Sequence, residues 1–284
     1  MFFYFLFRLK QDLPLQFDPS NMAKRLDGGA FVFNPSANAR MGVLPRHAEN
    51  ANDMQWFDVM PCAIFHVINS YETINSNQDT VVVLQACRFT TIDLSNMNSE
   101  EEDLKDYNEV WVWELNLTTG KVDREEPLLQ SNQPTFSGDF PQINPNYVGR
   151  PQTYCWLSKF SPEHNTKFSS IVKMNCDDGT IVGEFEYGNM KRGGEIVFVS
   201  KENPTSEDDG YLIGFVHDEE HDVSSFWVID AKSMDKTPIC ICEMPKRVPY
   251  GMHATFLTEK ELIQSEMRHR GTISNLQRME RAKL

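Results

Sequence analysis

The stretch from Ile171 to Phe185 sets the terms for the whole chain. Two short, mostly apolar runs, Ile171-Val-Lys-Met-Asn175 and Thr180-Ile-Val-Gly-Glu-Phe185, are parted by Cys176-Asp-Asp-Gly179. An Asp-Gly step tolerates the positive φ of a tight reversal, so the flanking runs pair as an antiparallel hairpin. The arrangement recurs. Glu109-Val-Trp-Val-Trp-Glu-Leu-Asn-Leu117 alternates ahead of a Thr118-Thr-Gly-Lys121 turn, and Gly210–Val216 and Ser225–Asp230 flank an acidic loop. Thr80–Phe89 and Glu195–Val199 read as buried strands, since their apolar residues run on with little alternation. Helical periodicity is scarce: Asn96–Tyr107 suits a short acidic helix within a loop, and Thr258-Glu-Lys-Glu261 has the spacing of a capping box. Many short strands with regular turns predict an all-β sandwich, barrel or propeller. No strict repeat selects among the three.

With 284 residues, 40% of them hydrophobic, the chain can bury one large domain or two small ones. Its 27 basic and 41 acidic residues leave a net charge of −14, which repels phosphate backbones and anionic headgroups. Nucleic acid is therefore excluded as a partner, whereas an apolar or neutral substrate is not. The six cysteines form no C-x-x-C pair, and Cys240 and Cys242 stand too close in sequence for a comfortable bridge. Reduced thiols in a cytosol-like compartment are the expectation, without a zinc ribbon. Asn116-Leu-Thr118 matches a glycosylation sequon, but its strand-like setting makes the match one of chance. The apolar start, Met1–Phe7, falls far short of the about 20 residues a bilayer needs. It reads as an edge strand or as the remnant of a truncated or mis-started chain.

Two histidines in apolar, strand-like settings are the best handle on function: His66 in Phe65-His-Val-Ile-Asn69 and His253 in Pro249-Tyr-Gly-Met-His253. Each alone fits a hydrogen-bonded core histidine as readily as a metal ligand. Two carboxylates bear on the choice. Glu195, after Gly193-Gly194, enters a mostly apolar strand and needs a partner there, for which a histidine N–H would serve. Asp139 either caps a turn ahead of Phe140-Pro141 or orients a ligand imidazole. His217-Asp-Glu-Glu-His221 formally fits an inverted zinc-protease motif, but that chemistry needs a helix and this motif lies between strands. A Cys62–His66 nucleophile pair lacks independent support, and no G-x-S-x-G elbow occurs.

The wording of these segments resembles the carotenoid cleavage dioxygenases. Phe65-His66-Val-Ile-Asn69-Ser-Tyr-Glu72 is similar to one of that family's ligand segments, and Arg247-Val-Pro-Tyr-Gly-Met-His253 to its C-terminal one. Gly193-Gly194-Glu195 and Asp139-Phe140-Pro141 fall where the family has carboxylates that orient the ligands. Arg40–Arg46, Trp56-Phe-Asp58, Glu207–Tyr211 and Val216–Glu219 agree in the same order. Asp12-Leu-Pro-Leu-Gln-Phe17 and the aspartate at 139 lean toward the plant-type cytosolic branch, which cleaves 9,10 double bonds of carotenoids.

The resemblance implies a seven-bladed β-propeller with Fe(2+) on its axis, held by four histidines. His66 and His253 would be two of these, with Glu195 and Asp139 orienting groups. A carotenoid or apocarotenoid and dioxygen would be the substrates, with peripheral membrane contact by the full-length protein a further implication. The family's first two histidine ligands have no counterpart here: His47, His164, His217, His221 and His269 all lack the right context. The chain thus reads as roughly four C-terminal blades over 11–262, after a non-matching start at 1–10 and before a polar helical or disordered tail at 263–284. A cytoplasmic location is expected, or a plastid one if a targeting segment is missing. The rival readings are a non-enzymatic half-propeller that binds a protein or an apolar ligand, and a different metal enzyme using His66, His253 and a carboxylate as a facial triad.

Overall fold

A computed structural model describes residues 7–19, 31–92, 108–162 and 164–265. The chain divides into two units, Met1–Met252 and His253–Leu284. The first contains every strand among the described residues. β1 (Phe7–Asp12) pairs with β4 (Ala39–Pro45), which pairs with β5 (Gln55–Val59), while β2 (Leu15–Phe17) and β3 (Phe31–Phe33) form a separate ribbon. β6 (Ala63–Ile74), β7 (Thr80–Phe89), β8 (Asn108–Asn116) and β9 (Lys121–Pro127) follow as a four-stranded antiparallel meander. A second meander runs through β10 (Gly138–Gln142), β11 (Tyr154–Ser161), β12 (His164–Asn175) and β13 (Thr180–Glu186). A third is built from β14 (Lys191–Gly193) and β15 (Val197–Ser200), both on β16 (Gly210–Asp218), then β17 (Val223–Asp230) and β18 (Cys240–Glu243).

Side-chain alternation turns these meanders into layers. On β7, Val82, Leu84 and Ala86 face one way, into a core with Met41, Val43 and Phe57 of the β1–β4–β5 sheet. Its other face sends Val81, Val83 and Cys87 into a core with Leu157, Val172 and Met174 of the second meander. β7 is buried on both faces, which explains its unbroken apolar run. A third core joins Trp156, Ile171 and Phe185 to Phe198, Leu212, Trp227 and Ile229 of the third meander. Stacked layers of this kind, the last two being parts of one nine-stranded sheet, are what a series of propeller blades requires. The expected all-β class is the observed one.

The second and third meanders are also stitched edge to edge through a single opposed pair, Phe168 and Gly193. Glycine at 193 is required by packing rather than by a turn. Its φ is not positive, but a Cβ there would lie 2.3 Å from the Tyr187 ring. Glycine is needed for close approach.

Several local expectations hold. Asp178-Gly179 makes the β12–β13 turn with Gly179 at φ 68°. Asn116 is buried and donates to Asp79 and Asp123, so it is no glycan acceptor in this fold. All six cysteines are free thiols. In the second unit a helix begins at 259, and Thr258 and Glu261 exchange the hydrogen bonds of a capping box: the Thr258 N–H donates to the Glu261 carboxylate at 2.8 Å and the Glu261 N–H to Thr258 Oγ1 at 3.3 Å. Residues 1–6 of the apolar start, the whole 96–107 segment and the tail beyond 265 lie outside the described residues.

Trp156 offers a test of the layered core. It is fully buried, stacks on Phe198 at 4.8 Å and donates its indole N–H to the Ala231 carbonyl. Trp156→Ala should lower the unfolding free energy by about 3–5 kcal/mol in urea titration. A loss below about 1 kcal/mol would contradict this packing.

Candidate active site

The environment of His66 comes from an irregular ladder. Ile64 pairs with Arg88 and Val67 with Ala86, so Phe65 and His66 together oppose the single residue Cys87. Had the strand stayed regular, His66 would face the Leu84–Ala86 side with Ile64. The bulge turns it to the opposite face. A second bulge follows between Val67 and Asn69.

On that face waits Asp139. Its own strand is bulged between Asp139 and Gln142, with Phe140 at φ 51°. The carboxylate is 2% exposed; its Oδ1 accepts the Phe140 N–H at 2.7 Å and lies 2.9 Å from Nδ1 of His66. The Asp139 carboxylate thus accepts from its own turn and lies within hydrogen-bond distance of the His66 imidazole. The hydrogen bond to Asp139 raises the His66 pKa above the ordinary 6.5, partial burial opposes it, and the nearby charges of Asp139 and Glu195 add to the rise. The Phe140 ring lies 4.7 Å from the imidazole and meets Phe168 edge-on, with Phe160 stacked beyond at 4.9 Å.

Glu195 stands at a third irregularity. Gly193 opposes Val216 and Val197 opposes Ile213, so three residues, 194–196, match two on β16. Glu195 is half-buried just ahead of β15 rather than within it, near enough for its charge to act on His66. Ser158, paired with Asp139 in the ladder, donates its hydroxyl to the Gly194 carbonyl and ties the two sites together. His66, Asp139 and Glu195 are thus gathered in one region. His253 belongs to the other unit, where it is exposed and precedes the capped helix.

Two asparagines complete the site's framework. Asn108, 1% exposed, accepts from the Gly138 N–H and the Ser137 hydroxyl and donates to the Gly138 carbonyl at 2.8 Å, clamping the two residues before Asp139. Sequence reading had passed it over, because an asparagine at a strand start carries no distinguishing signal. Asn69, noted in the histidine segment, anchors the 147–152 loop: its amide N–H groups reach the Arg150 carbonyl and Gln152 Oε1, and its oxygen accepts the Gly149 N–H.

The other motifs resolve as expected. His217 is a buried strand residue bonded to Ser224 Oγ at 3.0 Å, while His221 is exposed and bonded to Asp218. No helix joins them. Cys62 points into the opposite core from His66, and burial pushes its thiol up to about 11, which makes it no nucleophile. An imidazole whose Nδ1–H is held by a buried carboxylate has its lone pair on Nε2, the form that suits a metal ligand. Among the described residues no three His, Cys, Asp or Glu side chains converge on one metal position.

The family described as retinal pigment epithelial membrane protein (RPE65) matches residues 8–258. A carotenoid 9,10(9',10')-cleavage dioxygenase of Crocus sativus is 36% identical over 88% of the chain, and one of Arabidopsis thaliana 34% over 90%. The chain spans about half the length of these relatives, 46% and 47%. Among solved structures, a substituted Synechocystis apocarotenoid oxygenase superposes with a TM-score of 0.74 at 18% identity, over 89% of this chain and 51% of that one. The cobalt-substituted Synechocystis protein gives 0.72 at 19%, over 89% and 50%.

The His66–Asp139 bond makes a direct prediction. In Asp139→Asn, the imidazole followed by NMR should titrate at a lower pH than in the parent. A pKa raised on folding adds stability that is complete below the unfolded value of 6.5 and is lost as pH rises through the folded one. The stability difference between parent and variant should therefore be greatest below pH 6.5 and narrow above it. An unmoved His66 titration would refute the contact.

Proposed function

The chain belongs to the RPE65 family of carotenoid cleavage dioxygenases, and from that premise we propose that it forms the C-terminal portion of an Fe(2+)-dependent dioxygenase. Such an enzyme would cleave a conjugated double bond of a carotenoid or apocarotenoid into two carbonyl products. The observation that carries the reading is the imidazole of His66 held by the buried carboxylate of Asp139.

Bound at imidazole ligands with open positions, ferrous iron would supply dioxygen activation. In this reading His66 is one ligand and His253 another. Asp139 keeps the proton of His66 on Nδ1 and the lone pair on Nε2, and Glu195 is the orienting group for a second imidazole. The remaining ligands would come from outside this chain, which spans about half the length of its relatives. Phe140, Phe160 and Phe168 form an aromatic cluster beside His66, apolar matter against which a polyene could pack.

Six free thiols support a cytoplasmic setting, with the plastid as the alternative that some relatives' names carry. Among the described residues no helix is long and apolar enough to cross a membrane.

Iron content and carbonyl products measured on one preparation of the protein carrying this chain, with dioxygen and a carotenoid or apocarotenoid supplied, test the proposal. Iron-dependent appearance of two carbonyl fragments is expected. His66→Ala should abolish both readouts, and Asp139→Asn should weaken iron affinity about 10–100-fold, the usual effect of losing an orienting partner. A stable folded protein without stoichiometric iron or products would overturn it in favour of a half-propeller that binds a protein or an apolar ligand.

A further inference from the structure

The geometry points to a second, separate metal position: Cys240 and Cys242 form a surface dithiol that chelates a soft, thiolate-seeking divalent cation of the Zn(2+)–Cd(2+) class. The two sulfurs lie 3.5 Å apart on β18, the last strand of its sheet, and all four of that strand's residues are exposed. Cys240 opposes Val228 and Cys242 opposes Phe226, so both thiols project from the same face. The remaining thiols, Cys62, Cys87, Cys155 and Cys176, are buried in the cores and out of a cation's reach.

Strand geometry favours a bridging ion over a direct S–S bond. A rise of about 3.3 Å per residue separates i and i+2 Cα atoms by roughly 6.6 Å. That is at the outer end of the roughly 4.4–6.8 Å a disulfide spans, and parallel Cβ vectors hold the Cβ atoms beyond its usual reach. A bridging ion relaxes the demand. With metal–sulfur bonds of about 2.3 Å at a tetrahedral angle, two ligand sulfurs stand about 3.8 Å apart, within a few tenths of an ångström of the observed separation. Binding replaces two S–H protons with one divalent ion, so two protons leave and no redox change occurs. Acid should weaken the site. The shared S–H···S contact already holds the Cys240 proton more firmly than usual, and two coordination positions stay open to water or an exogenous ligand.

Cd(2+) added alone to the reduced protein tests this, since thiolate-to-cadmium charge transfer absorbs in the ultraviolet and imidazole ligation does not. One equivalent should saturate the band in the parent and in His66→Ala, which separates this site from the iron proposal. Cys240→Ser and Cys242→Ser should each weaken binding at least about a hundredfold, and the double variant should show no band. Three results would overturn the inference: no band in the parent, an equal band in the double variant, or an air-purified protein whose Cys240 and Cys242 are already joined and two mass units lighter.

Discussion

A carboxylate at 2% exposure has to be compensated where it stands, and the candidate site is organised around that demand at Asp139. Burial of a charged group is tolerated only with donors close by. The Phe140 N–H is one, made available because the backbone there enters the left-handed region at φ 51°. The imidazole of His66 is the other. The neighbouring Cys87 thiol feels the same charge: burial pushes it up first, and Asp139 pushes it further. Asn108 holds Ser137 and Gly138, the two residues that lead into Asp139.

The three candidate residues of this unit share a structural cause. His66, Asp139 and Glu195 each sit where an antiparallel ladder loses register, on β6, on β10 and between β14 and β15. A regular strand sends alternate side chains to opposite faces and cannot gather residues of unrelated parity onto one centre. An inserted residue changes the parity locally while leaving the cores on either side intact. Here the cores are the conserving element: Val82, Leu84 and Ala86 still reach one core and Val81 and Val83 the other, although β6 slips twice beside them.

That difference explains what the sequence made legible. Alternation, Asp-Gly turns and unbroken apolar runs report the average environment of a strand, so β7, β8, β13, β16 and β17 were readable within a residue or two, whereas β12 was read only from Ile171 and in fact starts at His164. A bulge leaves no such trace. Phe65-His66-Val67 looks like continuous strand, and parity alone would have put His66 beside Ile64 and Cys62, in the wrong core. Asp139 was recognisable as either a turn residue or an orienting group, and only the folded chain brings its carboxylate to both the Phe140 N–H and the His66 ring. The need for glycine at 193 was not legible, since a sequence cannot announce the Tyr187 ring that occupies its missing side chain. His253 remains a reading from its segment, in a unit of its own.

The edges of these sheets show a different constraint, that of strands with no further partner among the described residues. β9 closes the first meander, and its Lys121-Val-Asp-Arg-Glu-Glu-Pro127 is charged at most positions and ends in proline, which has no N–H to offer an incoming strand. Arg124 is engaged by Glu114 and Glu126, so the charges are fixed along the edge. β18 closes the last meander with Cys-Ile-Cys-Glu, fully exposed and carrying a single charge. An edge so lightly guarded is open to pairing. Thiols that hold a hydrated divalent ion would place charge and bound water on that edge, the same obstruction that β9 obtains from its own side chains.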